Sequence, residues 1–161
     1  MSVTVRPARR GDLDGALALW RLLQREHEAY DPRYRMSDDA EARWSTDFRD
    51  WIRAHSSSVW VAEESGGRLV GMLTALLAEP APVYRGEPFV FVGEIVVATD
   101  WRGRGVGRAL LAAARGWGRE VGARGLRAGV LAENEAGRRF WEREGGRDYI
   151  VTIAAPLDPP G

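Results

Sequence analysis

The chain contains no cysteine. That excludes disulfides, thiolate nucleophiles and cysteine-ligated metals, and it permits a reducing compartment. Lysine is absent as well, so all 23 basic residues are arginine and the protein cannot itself be modified on a lysine. The Arg-, Gly- and Ala-rich composition is that of a G+C-rich coding sequence. Net charge is also lacking: 23 acidic residues balance the 23 basic ones, which gives no bulk attraction to nucleic acid or to an anionic membrane. The two histidines, His27 and His55, show no metal-ligand spacing. No run of about 18 apolar residues is present to span a bilayer. The opening Met-Ser-Val-Thr-Val-Arg-Pro lacks the apolar centre of a secretory signal. The expectation is a soluble, cytoplasmic protein with no metal, no nucleic-acid partner and no membrane partner.

What is present is 161 residues, 45% hydrophobic and 29% charged, enough for one good core. No repeat, heptad or linker divides the chain. Residues 1–155 are expected to form a single domain and 156–161 a frayed tail. Val3 to Arg6 reads as a first strand. Asp12 is placed to cap a helix with the apolar stripe Leu13, Ala16, Leu17, Trp20 and Leu23, which ends before Asp31-Pro32. Ser37-Asp38-Asp39 opens a second helix with Trp44, Phe48, Trp51 and Ile52 on one side, broken by Ser56-Ser57-Ser58. Val59–Glu63 and Leu69–Leu77 flank a glycine turn as a hairpin. Glu79 to Pro88, with three prolines and a glycine, reads as a loop. Then come a strand at Phe89–Val97, a helix to about Gly122, a strand at Leu126–Leu131, a helix at Glu133–Glu144 and a last strand at Tyr149–Ala154. This order predicts an α/β (α+β) fold: a mixed, mostly antiparallel sheet with helices on both faces. The crossover from Phe89 to Leu131 makes its two strands parallel.

Between that strand and that helix lies Arg102-Gly103-Arg104-Gly105-Val106-Gly107-Arg108. A strand, a glycine-rich turn and a helix start form a natural phosphate cradle, with free N–H groups and a positive dipole end. Two familiar cradles fail here. The P-loop needs Gly-Lys-Ser/Thr, and the dinucleotide fingerprint needs Gly-x-Gly-x-x-Gly, whereas these glycines fall at 103, 105 and 107.

What remains, Arg-x-x-Gly-x-Gly, resembles the acetyl-CoA pyrophosphate loop of the GNAT-type N-acetyltransferases, with Arg102, Gly105 and Gly107 at its fixed positions. A second segment of that family, Asn…Ala…Phe-Tyr…Gly-Phe, is echoed by Asn134, Ala136, Phe140-Trp141 and Gly145-Gly146. The order of elements agrees over nearly the whole chain. The resemblance implies a GNAT-like fold, acetyl-CoA as co-substrate, and acetyl transfer to a primary amine. A small-molecule amine is favoured over a peptide, because the chain is a bare domain. It implies that the backbone from Gly103 through Arg104, Gly105, Val106 and Gly107 to Arg108 wraps the pyrophosphate. Ile95, Val96 and Val97 would pair with the pantetheine arm, and Asn134 would sit near the cofactor. Arg104 and Arg108 either reach CoA phosphates or stay in solvent.

Acetylating an amine requires removal of a proton from a group with a pKa of about 10.4. Glu94 is the candidate general base, acting directly or through a water. It is the charged residue inside an apolar strand, where a carboxylate is costly unless it lines a cleft, and partial burial would raise its pKa. Pairing with an arginine, or positioning of a water or the substrate ammonium, stands beside that role. A backbone N–H near Ile95–Val97 would meet the oxyanion. The general acid departs from the family pattern: Trp141 occupies the tyrosine position, and an indole cannot deliver a proton as a phenol does. Tyr149 or Tyr84 is a stand-in, and the acid otherwise stays unassigned. Glu26, His27, Tyr30, Tyr34, Tyr84 and Glu87 are candidates for holding a cationic acceptor. A module that holds acetyl-CoA or CoA without turnover is the alternative. A third reading, Arg-Gly-Arg-Gly as an RNA-binding segment, is opposed by charge neutrality. A homodimer is left open.

Overall fold

The computed structural model describes residues 2–158, 160 and 161. Five strands form one sheet in the order β1 (Val3–Pro7), β2 (Ser57–Glu64), β3 (Leu69–Ala78), β4 (Phe89–Val97) and β5 (Leu126–Ala128). Consecutive strands from β1 to β4 are antiparallel, and β4 and β5 are parallel. The helices are α1 (Leu13–Tyr30), α2 (Ala40–Trp51), α3 (Val106–Glu120) and α4 (Glu135–Arg143). This is the mixed, mostly antiparallel sheet with one parallel crossover that the sequence predicts.

Helical periodicity decides which faces are buried. α1 buries Ala16, Leu19, Trp20 and Leu23, and α3 buries Val106, Leu110, Leu111 and Ala114, each a stripe at three- and four-residue spacing. α1 and α2 cover the face of the sheet that carries Thr74 and Glu94. α3 covers the opposite face, and Gly71 of β3 lets it sit flush. A Cβ at Gly71 would stand 2.9 Å from Val106 of α3. Between the layers, Phe48, Met72, Leu73, Leu110, Leu111, Val61, Val70 and Val90 are fully enclosed. No helix among the described residues is long and apolar enough to cross a membrane.

Several boundaries differ from expectation for identifiable reasons. Asp12 does not cap α1. Its carboxylate instead accepts from the Arg9 N–H at 2.6 Å and holds the Arg6 guanidinium at 2.8 Å, closing the turn before the helix. α2 ends at Trp51, not at the serines. Ser57 and Ser58 join β2 opposite Leu76 and Ala75, and the Ser57 hydroxyl donates to Trp51 O at 2.9 Å. α4 starts at Glu135 because Asn134 caps it, accepting from Gly137 N–H at 2.9 Å. β5 stops at Ala128 rather than Leu131.

The predicted last strand at Tyr149–Ala154 is absent. Those residues have strand-like alternation but no partner strand in the sheet, and they lie exposed.

Candidate active site

The site is built on an irregularity in β4. Thr74 of β3 pairs with Glu94, yet the next β3 residue, Ala75, pairs with Val92, which leaves Gly93 as a bulge. A bulge bends the strand and re-aims its side chains. A side chain at Gly93 would crowd the Thr74 hydroxyl, with its Cβ 3.1 Å away. The bulge therefore brings Thr74 and Glu94 together on the face beneath α1 and α2.

There the Glu94 carboxylate is held from two elements. The Trp44 indole N–H of α2 donates to Oε1 at 2.9 Å, and the Thr74 hydroxyl donates to Oε2 at 3.1 Å. The Trp20 indole of α1 stacks on Trp44 with ring centroids 5.3 Å apart, and its polar edge favours the charged form of Glu94. Desolvation by these rings pushes the Glu94 carboxyl above the ordinary glutamate range; the donors oppose that shift, and the nearby charge of Asp47 adds to it. The side chain nevertheless keeps some contact with solvent. No arginine is hydrogen-bonded to Glu94 among the described residues, so the arginine-paired structural role does not apply.

Past the bulge, β4 and β5 part. β5 pairs with β4 through Val90, Phe91 and Val92, and no β5 residue is paired with Ile95, Val96 or Val97. The Ala98 N–H donates to Val70 O on β3 at 2.8 Å. Strand alternation therefore turns the Ile95 and Val97 backbone groups to the other side, into the opening between β4 and β5. Val97 O in that opening accepts from Arg102 Nε at 3.0 Å.

The glycine turn closes the same end of β4. Gly103 and Gly105 have φ of +73° and +82°, a left-handed conformation that admits glycine freely, and a Cβ at either would meet nothing within 4 Å. The turn is thus shaped by conformation rather than packing, and its outer side is open. α3 begins at Val106, and the first main-chain bond of that helix runs from Ala109 N–H to Gly105 O at 3.0 Å. The N–H groups of Val106, Gly107 and Arg108 precede that first bond and face outward at the positive end of the helix dipole. An anion such as a pyrophosphate fits a cradle of this kind. Gly107 supports it from behind, where a Cβ would stand 3.2 Å from the Phe140 ring of α4.

The remaining sequence candidates fall in several places. Arg102 and Glu26, assigned separately to cofactor and acceptor, are bonded to each other at 2.6 Å. Arg104 lies over the Trp101 ring at 5.1 Å, and Arg108 approaches Glu144 at 3.5 Å. His27 meets Tyr34 edge-on with centroids 5.9 Å apart, and burial pushes its imidazole down toward the neutral form. Tyr30 stands at the exposed end of α1, Tyr84 is exposed in the loop before β4, and Glu87 turns to Arg124 at 3.7 Å. Trp141 packs edge-on against Phe140, half-buried. Tyr149 stacks on the Arg127 guanidinium at 4.7 Å, and Arg127 also covers Phe89.

A family model described as the acetyltransferase (GNAT) family matches residues 17–146. The chain belongs to that family. Its chemistry is therefore acetyl transfer with acetyl-CoA as co-substrate. By sequence, no curated protein matches it. Solved structures do. The BH1408 protein of Bacillus halodurans, as a tetramutant, superposes with a TM-score of 0.84 at 20% identity, covering 96% of this chain and 99% of its own. The aminoglycoside 6'-N-acetyltransferase AAC(6')-Ih of Acinetobacter baumannii gives 0.77 at 16% identity, covering 99% and 100%. AAC(6')-Iy, in complex with the bisubstrate analogue CoA-S-monomethyl-acetylneamine, gives 0.75 at 21% identity, again covering 99% and 100%. At these identities the likeness establishes the fold.

Three residues of the site escape a reading of the sequence alone. Trp44 and Trp20 look like core positions of amphipathic helices, and they are, but Trp44 also donates its indole N–H to Glu94 and Trp20 stacks against Trp44. Thr74 sits inside the apolar run of β3, where a buried hydroxyl is the available signal.

Proposed function

We propose that this GNAT protein acetylates a primary amine of a small cationic molecule by direct attack on the acetyl-CoA thioester, with Glu94 as general base, directly or across one water. The observation that carries the reading is the Glu94 carboxylate: enclosed by Trp44, Thr74 and Trp20, raised above its ordinary pKa, and sited where β4 and β5 part. A base works best when its pKa lies near the operating pH. Burial moves Glu94 in that direction.

The chain's own groups supply the rest. The N–H groups of Val106, Gly107 and Arg108 would hold the pyrophosphate, with Gly103, Arg104 and Gly105 forming the turn around it and Asn134 flanking it from the start of α4. Ile95 and Val97 would pair along the pantetheine arm and offer an N–H to the acyl oxygen as negative charge develops on it. Asp47, exposed on α2 and electrostatically coupled to Glu94, gives the acceptor side negative potential suited to an ammonium group. Relatives of the same fold named as aminoglycoside N-acetyltransferases support an amine-bearing small molecule over a peptide. Tyr149 remains the candidate acid, and it would have to leave Arg127 to act.

The test is release of free thiol from acetyl-CoA across a panel of small polyamines, amino sugars and short peptides. Turnover confined to small cationic amines is the expected result. Tight CoA binding with no turnover on any amine overturns the proposal in favour of a non-catalytic CoA-binding module.

A further inference from the structure

The face of the sheet that carries Glu94 is covered over only part of its length. In the row that holds Glu94, Val59 and Thr74 are 3% and 4% exposed beneath α1 and α2. One row further along β3 and β4 the cover ends. Leu76 and its partner Phe91 are 37% and 38% exposed, on the same face as Thr74 and Glu94. Alternation puts Leu76 there, two residues from Thr74. For Phe91 the bulge at Gly93 decides it. Three residues of a regular strand would set Phe91 and Glu94 on opposite faces, and the extra residue brings them to one.

This apolar floor runs between charges of opposite sign. At one end are the carboxylate of Glu94 and that of Asp47, exposed on α2 and electrostatically coupled to it. At the other, Phe91 stands in register with Arg127 of β5, whose guanidinium lies over the Phe89 ring at 3.7 Å and the Tyr149 ring at 4.7 Å. A contiguous apolar patch rimmed by polar groups marks a binding surface. Side chains two residues apart on one strand face are about 7 Å apart, which a short alkyl link between an amine and a ring can span.

Resting on the reading of Glu94 as the base, we propose that the acceptor is an arylalkylamine, with its ring seated on Leu76 and Phe91 and its amine at Glu94. Seating the ring removes apolar surface of both partners from water, and a flat ring meets Phe91 edge-on or offset. It also fixes the nitrogen beside the carboxylate, so that binding energy is spent on orientation. Charge sets the direction of entry. The ammonium is drawn to Glu94 and Asp47 and repelled by Arg127. The same guanidinium disfavours a second ammonium beyond the ring. Polyamines and multiply charged amino sugars are therefore poorer acceptors than an aryl monoamine.

The test compares acceptors that differ in the ring alone. With acetyl-CoA saturating, kcat/KM for 2-phenylethylamine is expected to exceed that for propylamine by about tenfold or more, and to exceed that for spermidine as well. Phe91→Thr removes the ring and keeps the strand propensity. It is expected to bring the ratio of 2-phenylethylamine to propylamine close to one, through the acceptor KM, with unchanged far-UV circular dichroism. Leu76→Thr, on the neighbouring strand, is expected to lower the same ratio. Propylamine or spermidine turned over by the wild type as efficiently as 2-phenylethylamine overturns the aryl site and leaves acetyl transfer standing. So does a ratio that survives both substitutions. If no amine is turned over, the acetylation reading fails by itself, and calorimetry of 2-phenylethylamine into the CoA-loaded protein still decides the site. Binding that Phe91→Thr abolishes supports it; no binding, or binding that the substitution leaves unchanged, overturns it.

Discussion

The indole N–H of Trp44 donates to Oε1 of Glu94 across 2.9 Å, joining the second helix to the bulged strand. This bond does two jobs that pull in opposite directions. It stabilises the ionised carboxylate, yet the ring that makes it also excludes the water that would solvate the charge. Burial wins, and the Glu94 carboxyl sits above its ordinary range.

Replacing Glu94 by glutamine tests that balance directly. The amide keeps the shape: its one oxygen accepts from the Trp44 indole and its NH2 donates to the Thr74 hydroxyl, but it cannot take a proton. The turnover rate is expected to fall by about 10²–10⁴-fold. Stability should move the other way. A carboxyl whose folded-state pKa is raised contributes stability that is present below its unfolded value, about 4.3, and lost as pH rises through the folded value. At neutral pH the ionised form is therefore a cost, and Glu94→Gln should melt higher than the wild type there. The gap should close as pH drops below the carboxylate range. Melting curves across pH decide it; a variant that melts no higher at pH 7 contradicts the burial account.

Trp44→Phe removes the donor and retains most of the ring. Loss of a bond to a partly enclosed carboxylate costs about 1–3 kcal/mol. Because the lost donor favoured the charged form, the Glu94 carboxyl should rise further. The acidic limb of the kcat/KM profile is then expected to move to higher pH, with kcat on the alkaline side of that limb little changed. A profile that falls uniformly at every pH would mean that Trp44 acts only through packing.

How far the sequence discloses this site follows from the range of each signal. The glycine turn is local: spacing at 103, 105 and 107, a strand before it and a helix after it can be read without knowing what lies across the fold. Glu94 is legible for a similar reason, as a charge inside Phe-Val-Phe-Val-Gly-Glu-Ile-Val-Val. Its donors are not. Trp44 is 50 positions away and Thr74 is 20 away, and only the bulge at Gly93 gives them a common face. A bulge is one extra residue in a pairing register, which no single strand reveals by itself. The missing strand at Tyr149–Ala154 shows the converse limit. Its local pattern is that of a strand, but a strand also needs a neighbour, and neighbours are a property of the assembly.

Arg102 bridges two readings that the sequence kept apart. Its guanidinium donates to Val97 O at 3.0 Å and to Glu26 at 2.6 Å, tying the end of β4 to α1 and fixing where the glycine turn begins. The pair is partly exposed, so its worth in stability is about 0–1 kcal/mol, and its effect should appear in the cofactor cleft instead. Arg102→Ala is expected to raise the KM for acetyl-CoA several-fold, and Glu26→Gln to raise it by less, with neither changing the KM for the acceptor. Steady-state kinetics with each substrate varied in turn separates the cases. A rise in acceptor KM alone for Glu26→Gln would return that residue to the acceptor side.

Gly105 offers the sharpest separation of conformation from binding. Its φ of +82° costs an alanine about 1–2 kcal/mol, which for a chain of this size lowers Tm by roughly 2–4 °C per kcal/mol. Asparagine tolerates the left-handed region far better than alanine, so Gly105→Asn should melt close to the wild type. Both substitutions add a side chain on the open outer side of the turn, where nothing of the protein lies within 4 Å. Only a ligand can meet it. Titration calorimetry with CoA is therefore expected to show a loss of affinity of tenfold or more for both variants, equivalent to about 1.4 kcal/mol per tenfold, although only the alanine form is less stable. If Gly105→Asn binds CoA as the wild type does, the backbone of this turn does not cradle the pyrophosphate.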